Sequence, residues 1–155
     1  MAKEVMRRTA ADNPYLHKDF HGALSAGIEY LHERYGADAV RDYLRQFAST
    51  YYAPLKAAVC ERGLVAMNEY LEHMYATEGG DIRLNCSGDE LVFEVAACPA
   101  VTHMHEHGYR VARLWPETTR AVYEAICEST PFAVEVLEYD DATGGTRVRF
   151  YRREQ

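Results

Sequence analysis

The stretch Gly79-Gly80-Asp81-Ile82-Arg83-Leu84-Asn85-Cys86-Ser87-Gly88-Asp89-Glu90-Leu91 is where the hydrophobic rhythm of the chain changes. Before the double glycine, apolar residues recur every three or four positions, the period of an amphipathic helix. After it Ile82, Leu84 and Cys86 alternate with polar residues. Ser87-Gly88-Asp89-Glu90 then makes a turn, and the return run 91–97 completes a β-hairpin.

Working backwards, Phe20, Ala23, Leu24, Gly27, Ile28 and Leu31 predict a helix from about residue 17 to 35, stopped at Gly36. His17 and His21 lie one turn apart on the inward stripe of that helix. Asp38 is placed to cap a second helix carrying Val40, Tyr43, Leu44, Phe47 and Tyr51, which Pro54 ends or kinks. A third helical segment, 55–62, stops at Gly63. A fourth, 64–76, puts Met67, Tyr70, Leu71 and Met74 on one face.

Working forwards, Pro99 and Gly108 bracket a short helix over 100–107, and Pro116 opens another that runs to Glu128 with Val122, Ala125 and Ile126 inward. Runs 132–139 and 147–152 flank the turn 140–145 and read as a second hairpin. The order helices, hairpin, helices, hairpin contains no long crossover between parallel strands. It predicts an α+β fold in which a helical N-terminal half packs on a four-stranded antiparallel sheet made of two hairpins separated by helices. Residues 1–13 read as a polar tail and 14–155 as a single domain, large enough to bury roughly 70% of its unfolded surface without a staple.

The composition is that of a globular chain, 48% apolar and 26% charged. A net charge of −7 without a basic cluster leaves nothing to neutralise a row of phosphates, so nucleic acid is not an expected partner. No run is long and apolar enough to span a bilayer, and the polar N-terminus lacks the hydrophobic centre of a secretion signal. A cytoplasmic protein that meets a small molecule is the expectation, and the tyrosine-rich helical half is compatible with a homodimer. Cys60, Cys86, Cys98 and Cys127 form no C-x-x-C pair, which removes zinc-ribbon and thioredoxin readings. Cys60, Cys86 and Cys127 sit on apolar faces and read as structural.

Chemistry concentrates between Cys98 and Glu117, which hold one cysteine, three histidines and the only tryptophan. Cys98 precedes a helix N-terminus, where the dipole favours the thiolate. That suggests a nucleophile with His17, His21 or His103 as base and Glu117 orienting it. The alternative is a buried structural thiol. His103 and His107 share a helix face, as His17 and His21 do, so the two pairs could hold a divalent metal such as zinc, with Cys98, Glu106 or Glu117 completing the set. The ordinary alternative is two helix edges whose imidazoles bond carboxylates, backbone or water; His105-Glu106-His107 is not the H-E-x-x-H motif.

Asn13-Pro14-Tyr15-Leu16-His17-Lys18-Asp19-Phe20-His21, then Cys98-Pro99, Trp115-Pro116-Glu117 and Arg147-Val148-Arg149-Phe150-Tyr151-Arg152 together resemble the L-2-amino-thiazoline-4-carboxylic acid hydrolase family. The resemblance covers most of residues 13–152. It implies hydrolytic opening of a cyclic cysteine precursor to an N-carbamoyl cysteine. It also implies a layout similar to vinyl-reductase-like ligand-binding domains, which hold small molecules between helices and an antiparallel sheet. Under this resemblance Arg110 or Arg113 could bind the substrate carboxylate by its two-pronged geometry, and Tyr15 and Trp115 could line the pocket. Where relatives have a cysteine after the tryptophan, this chain has Pro116. Two expectations follow: a Cys/His or metal-held-water hydrolase, and a non-catalytic domain that binds or senses a small molecule or metal.

Overall fold

A computed structural model describes residues 18–154; the tail 1–13, Tyr15 and His17 lie outside the described residues. Helices α1 (Asp19–Tyr35), α2 (Ala37–Tyr51), α3 (Ala53–Arg62) and α4 (Leu64–Glu78) come first. Strands β1 (Arg83–Cys86) and β2 (Glu90–Val95) follow, then α5 (Pro99–Glu106), α6 (Glu117–Cys127), β3 (Phe132–Tyr139) and β4 (Thr146–Arg152). The fold is α+β, and the helix-to-strand switch falls at Gly79-Gly80. Gly79 stands at φ +73° in the left-handed region that ends helices and suits glycine.

All neighbouring strands are antiparallel, in the order β1-β2-β4-β3. Alternation then writes the two faces of the sheet. Leu91 lies across from Phe150 and Phe93 from Val148, while Val134 and Val136 extend the same rows on β3. Leu91, Phe93, Val148 and Phe150 are no more than 1% exposed. Packed over this apolar face are α4, through Leu64, Met67 and Leu71, and α6, through Val122, Tyr123 and Ile126. The Tyr123 ring meets Phe150 edge-on at 5.3 Å. The opposite face is wet and carries cross-strand ion pairs, Arg149–Glu90 at 2.6 Å and Arg147–Glu94 at 3.6 Å. One helical layer on one face is what period-two strands allow when the other face meets water. Among the described residues no helix is long and apolar enough to cross a membrane.

Several boundaries and faces differ from the sequence expectation, for local reasons. Gly36, not Asp38, precedes α2; Asp38 lies in the first turn and pairs with Arg41 at 3.0 Å. Pro54 neither ends nor kinks α2. It sits in the first turn of α3, where its missing N–H has no helical partner to lose. Phe20, Tyr43 and Tyr51, expected inward, are 49%, 45% and 64% exposed, because α1 and α2 bury narrower stripes centred on Ile28, Val40 and Leu44. Cys60 and Cys86 are exposed, so only Cys127 of the three cysteines read as structural is buried.

The turn after β3 folds back onto the start of α5. Cys98 N donates to Thr143 O at 2.9 Å, and Gly144, at φ +66°, lies against Cys98 and Val101. A Cβ at position 144 would come within 2.7 Å of both side chains. Gly144→Ala is therefore expected to lower unfolding free energy by about 2 kcal/mol or more. Gly88→Ala, with nothing within 4 Å and no positive φ, should stay within about 0.5 kcal/mol. Urea midpoints of the two variants check this.

Candidate functional site

The segment between α5 and α6 has no ladder to satisfy its backbone, and α1 supplies the missing partners. Ser25 and Glu29, one turn apart, face it with their side chains. Ser25 Oγ donates to Arg110 O at 2.7 Å and accepts from Ala112 N at 2.8 Å. Glu29 accepts from Arg113 N at 3.0 Å and from Arg113 Nε at 2.7 Å, with Arg110 at 3.8 Å. Those donors hold the Glu29 carboxyl below the usual carboxylate range, against the opposing pull of burial. Both residues are nearly closed to solvent, at 1% and 9% exposure. The clamp sets the height of Trp115 against α1.

One turn before Ser25 on the same stripe stands His21. Its ring meets Trp115 edge-on, centroids 6.4 Å apart, and its Nε2 lies 3.4 Å from Oε2 of Glu78 at the end of α4. Both side chains are largely covered, at 15% and 13% exposure. A carboxylate offers only lone pairs, so in the neutral imidazole Nε2 supplies the proton of this contact and Nδ1 keeps its lone pair. The Glu78 charge also pushes the Cys98 thiol up, as the smallest of the influences on it. Three phenols share the neighbourhood. Tyr75 and Tyr139 are pushed up by burial and then by Cys98, and Tyr123 by burial, Tyr75, Tyr52 and Cys98.

Cys98 is the N-cap residue of α5, as its sequence position suggested, yet its thiol is not activated. Burial pushes its pKa up, the N–H groups of Val101 and Ala100 pull it down, and Glu78 pushes it up again. The net shift is upward. A helix N-terminus contributes about 0.3–1 kcal/mol, under one pKa unit, whereas burial can shift a group by several. The thiol is the resting form at neutral pH.

The other residues singled out from sequence sort into separate places. His103 Nε2 is 3.0 Å from Asp19 Oδ1, which also accepts from Tyr109 OH at 3.2 Å. The His107 ring lies 4.0 Å from that of His103, and His107 Nδ1 bonds His103 O at 2.9 Å. His105 turns away toward Ala142 O. Glu117, 8% exposed, pairs with Arg41 Nε at 3.2 Å and ties α6 to α2. Arg110 and Arg113 are engaged by Glu29. Of the proposed metal donors, His21 and His103 thus bond different carboxylates on different elements. Among the described residues no three His, Cys, Asp or Glu side chains converge to hold a metal ion. His17 and Tyr15 lie outside the described residues.

Two clefts flank this centre. One of about 390 Å³ runs past Glu78, Gly80, Ala97, Thr102 and His103. The other, about 240 Å³, is lined by residues on either side of Trp115 together with Arg120, Tyr139 and Asp141. A larger cleft of about 580 Å³ lies at one end of the sheet, but Arg83, Glu94, Glu138 and Arg147 in its wall pair with one another. Ser25, Glu29, Glu78 and Arg120 are the residues that the sequence reading missed. Their signal was there: Ser25 and Glu29 continue the His21 stripe at intervals of four, and Glu78 ends a helix where the dipole disfavours a carboxylate.

No protein-family model matches the chain, and no curated protein is significantly similar to it.

Removing the Ser25 hydroxyl leaves a buried N–H and a buried carbonyl without partners, so Ser25→Ala should lower unfolding free energy by about 2 kcal/mol. Chemical denaturation measures it. In a Cys60→Ser, Cys86→Ser background, iodoacetamide should alkylate Cys98 slowly at pH 7, with a midpoint above the ordinary thiol value of about 8.5. Glu78→Gln, by removing a charge that raises the thiol, should move that midpoint down.

Proposed function

We propose that the chain is a small-molecule hydrolase of the L-2-amino-thiazoline-4-carboxylic acid type in which water is the nucleophile and the His21–Glu78 pair moves the protons. The observation that carries this reading is the 3.4 Å contact between His21 Nε2 and Glu78, largely covered and walled by Trp115. A histidine oriented through one nitrogen by a carboxylate presents the other as general base. In the reaction, His21 Nδ1 accepts a proton from water as the water oxygen bonds to the amidine-like ring carbon. The π pair of the C=N bond moves to the ring nitrogen, which takes the second water proton as the carbonyl forms. The carbon–sulfur bond breaks, its electron pair leaves with sulfur, and the proton taken by His21 is delivered to that sulfur. The product is an N-carbamoyl cysteine. Cys98, held as a thiol, serves as a neutral hydrogen-bonding wall, and Tyr75, Tyr123 and Tyr139 add polar tips that stay protonated. The setting in this reading is the cytoplasm, where the exposed Cys60 and Cys86 remain reduced.

A specific observation favours a second reading, a binding domain without chemistry: the raised Cys98 thiol is the state expected of an inert pocket wall. Turnover of the cyclic substrate decides between the two. On the hydrolase reading, His21→Ala and Glu78→Gln each lower kcat by about 10²- to 10⁴-fold with circular dichroism unchanged. Cys98→Ala costs far less, because its thiol is not the attacking group. No turnover by wild-type protein that binds the ring would leave the binding domain; full turnover in His21→Ala would remove the proposed base.

A further inference from the structure

Arg120, in α6, differs from the other arginines. Each of the other described arginines has a partner: a carboxylate in most cases, the Tyr30 ring for Arg34, and the carbonyls of Phe132 and Cys127 for Arg153. Arg120 has none among the described residues, and its side chain lines the cleft of about 240 Å³. The charges around it are nearly all spoken for: Arg113 by Glu29 and Glu117 by Arg41. The exception is Asp141 on the turn after β3, which lines the same cleft and among the described residues has no cation within pairing distance. Two opposite charges therefore face one small space without meeting, since a direct contact between them would count as an ion pair.

Two parts of the cleft's lining adjoin residues that touch or feel the proposed centre. Leu114 and Pro116, the neighbours of Trp115, form one wall, and the Trp115 ring is packed on His21. Tyr139 forms another wall, and its phenol is acted on by both Cys98 and Arg120. None of His21, Glu78 and Cys98 lines this cleft; its connection to them runs through Trp115 and Tyr139.

We infer that this cleft is a binding site for a zwitterion of amino-acid size, with its carboxylate on Arg120 and its cationic amine or amidine on Asp141. The guanidinium is planar and can take a carboxylate with two parallel hydrogen bonds. The volume is below that of pockets for drug-sized ligands, in keeping with a single small ring. The inference deepens the hydrolase reading and rests on it for the choice of ligand: a thiazoline ring bearing a carboxylate and an amidine has both charges. It replaces Arg110 and Arg113 as carboxylate holders with a residue that has no other engagement.

Three probes separate the two charges: L-2-amino-thiazoline-4-carboxylate, 2-amino-thiazoline without the carboxylate, and 2-oxothiazolidine-4-carboxylate without the amidine. Binding is titrated by calorimetry on the full chain. Wild-type protein should prefer the zwitterion over each partial probe by about tenfold or more, the size of a hydrogen-bonded charge pair. Arg120→Gln should erase the preference for the carboxylate and leave that for the amidine, Asp141→Asn should do the reverse, and Arg110→Gln should retain both. Arg120→Lys, which keeps charge but loses the fork, should fall between. The site assignment is overturned by no binding, by equal affinity for the three probes, or by preferences that survive both substitutions. Turnover is read separately. Charge-selective binding lost in Arg120→Gln without any hydrolysis keeps the site and removes the hydrolase; hydrolysis indifferent to Arg120 and Asp141 keeps the hydrolase and removes the site.

Discussion

The structure depends on a polar stripe down one helix. His21, Ser25 and Glu29 stand four residues apart on α1, next to the apolar Leu24 and Ile28, and together they serve a segment that has no secondary structure of its own. An irregular, buried backbone carries donors and acceptors that must be met by something. Here two side chains meet three such demands, Ser25 those of Arg110 O and Ala112 N and Glu29 that of Arg113 N, and Glu29 takes the Arg113 guanidinium as well. Because that segment is pinned, Trp115 has a fixed place. Because Trp115 has a fixed place, so has the His21 ring against it. The same stripe that holds the fold at one end presents the histidine at the other.

The architecture could be read from periodicity because each signal has a single geometric meaning. Three-and-four spacing places residues on one side of a helix, and strict alternation places them on one side of a strand. Neither says which strand lies next to which. The order β1-β2-β4-β3, with β4 between β2 and β3, follows from the chain leaving the first hairpin, crossing α5 and α6, and returning to pair with β2. Residues of mixed character misled for a similar reason. A tyrosine such as Tyr43 or Tyr51 fits the apolar template by its ring and the solvated template by its hydroxyl, and spacing alone does not choose. At Asp38 and Pro54 the residue types were read correctly as helix punctuation but were assigned to the wrong side of the boundary.

The candidate site was legible where chemistry is scarce and obscure where it is common. A lone tryptophan, a cysteine before a proline and histidines at helical spacing stand out in any sequence. A glutamate at a helix end does not, since most are solvated, and so Glu78 escaped notice although it is the carboxylate that His21 meets. Glu117 drew attention through its neighbours in sequence, but its carboxylate is taken up by Arg41 in joining two helices. At Cys98 the two sequence readings, an activated thiol and a buried one, differ over magnitude and not mechanism. The helix terminus does favour its thiolate, through the N–H groups of Ala100 and Val101, but burial outweighs it and Glu78 adds to burial.

That outcome bears on how a carbon–sulfur bond could be broken here. The surroundings that raise the Cys98 thiol would raise any other thiol formed beside it, for the same reasons: little water and a nearby carboxylate. A substrate sulfur departing as a bare thiolate would meet the same penalty. Bond cleavage in such a place therefore calls for a proton delivered as sulfur leaves, and the group able to carry one is an imidazole that has just taken it from water. On this argument the features that disqualify Cys98 as a nucleophile are those that make His21, oriented by Glu78, the residue on which a hydrolytic step would turn.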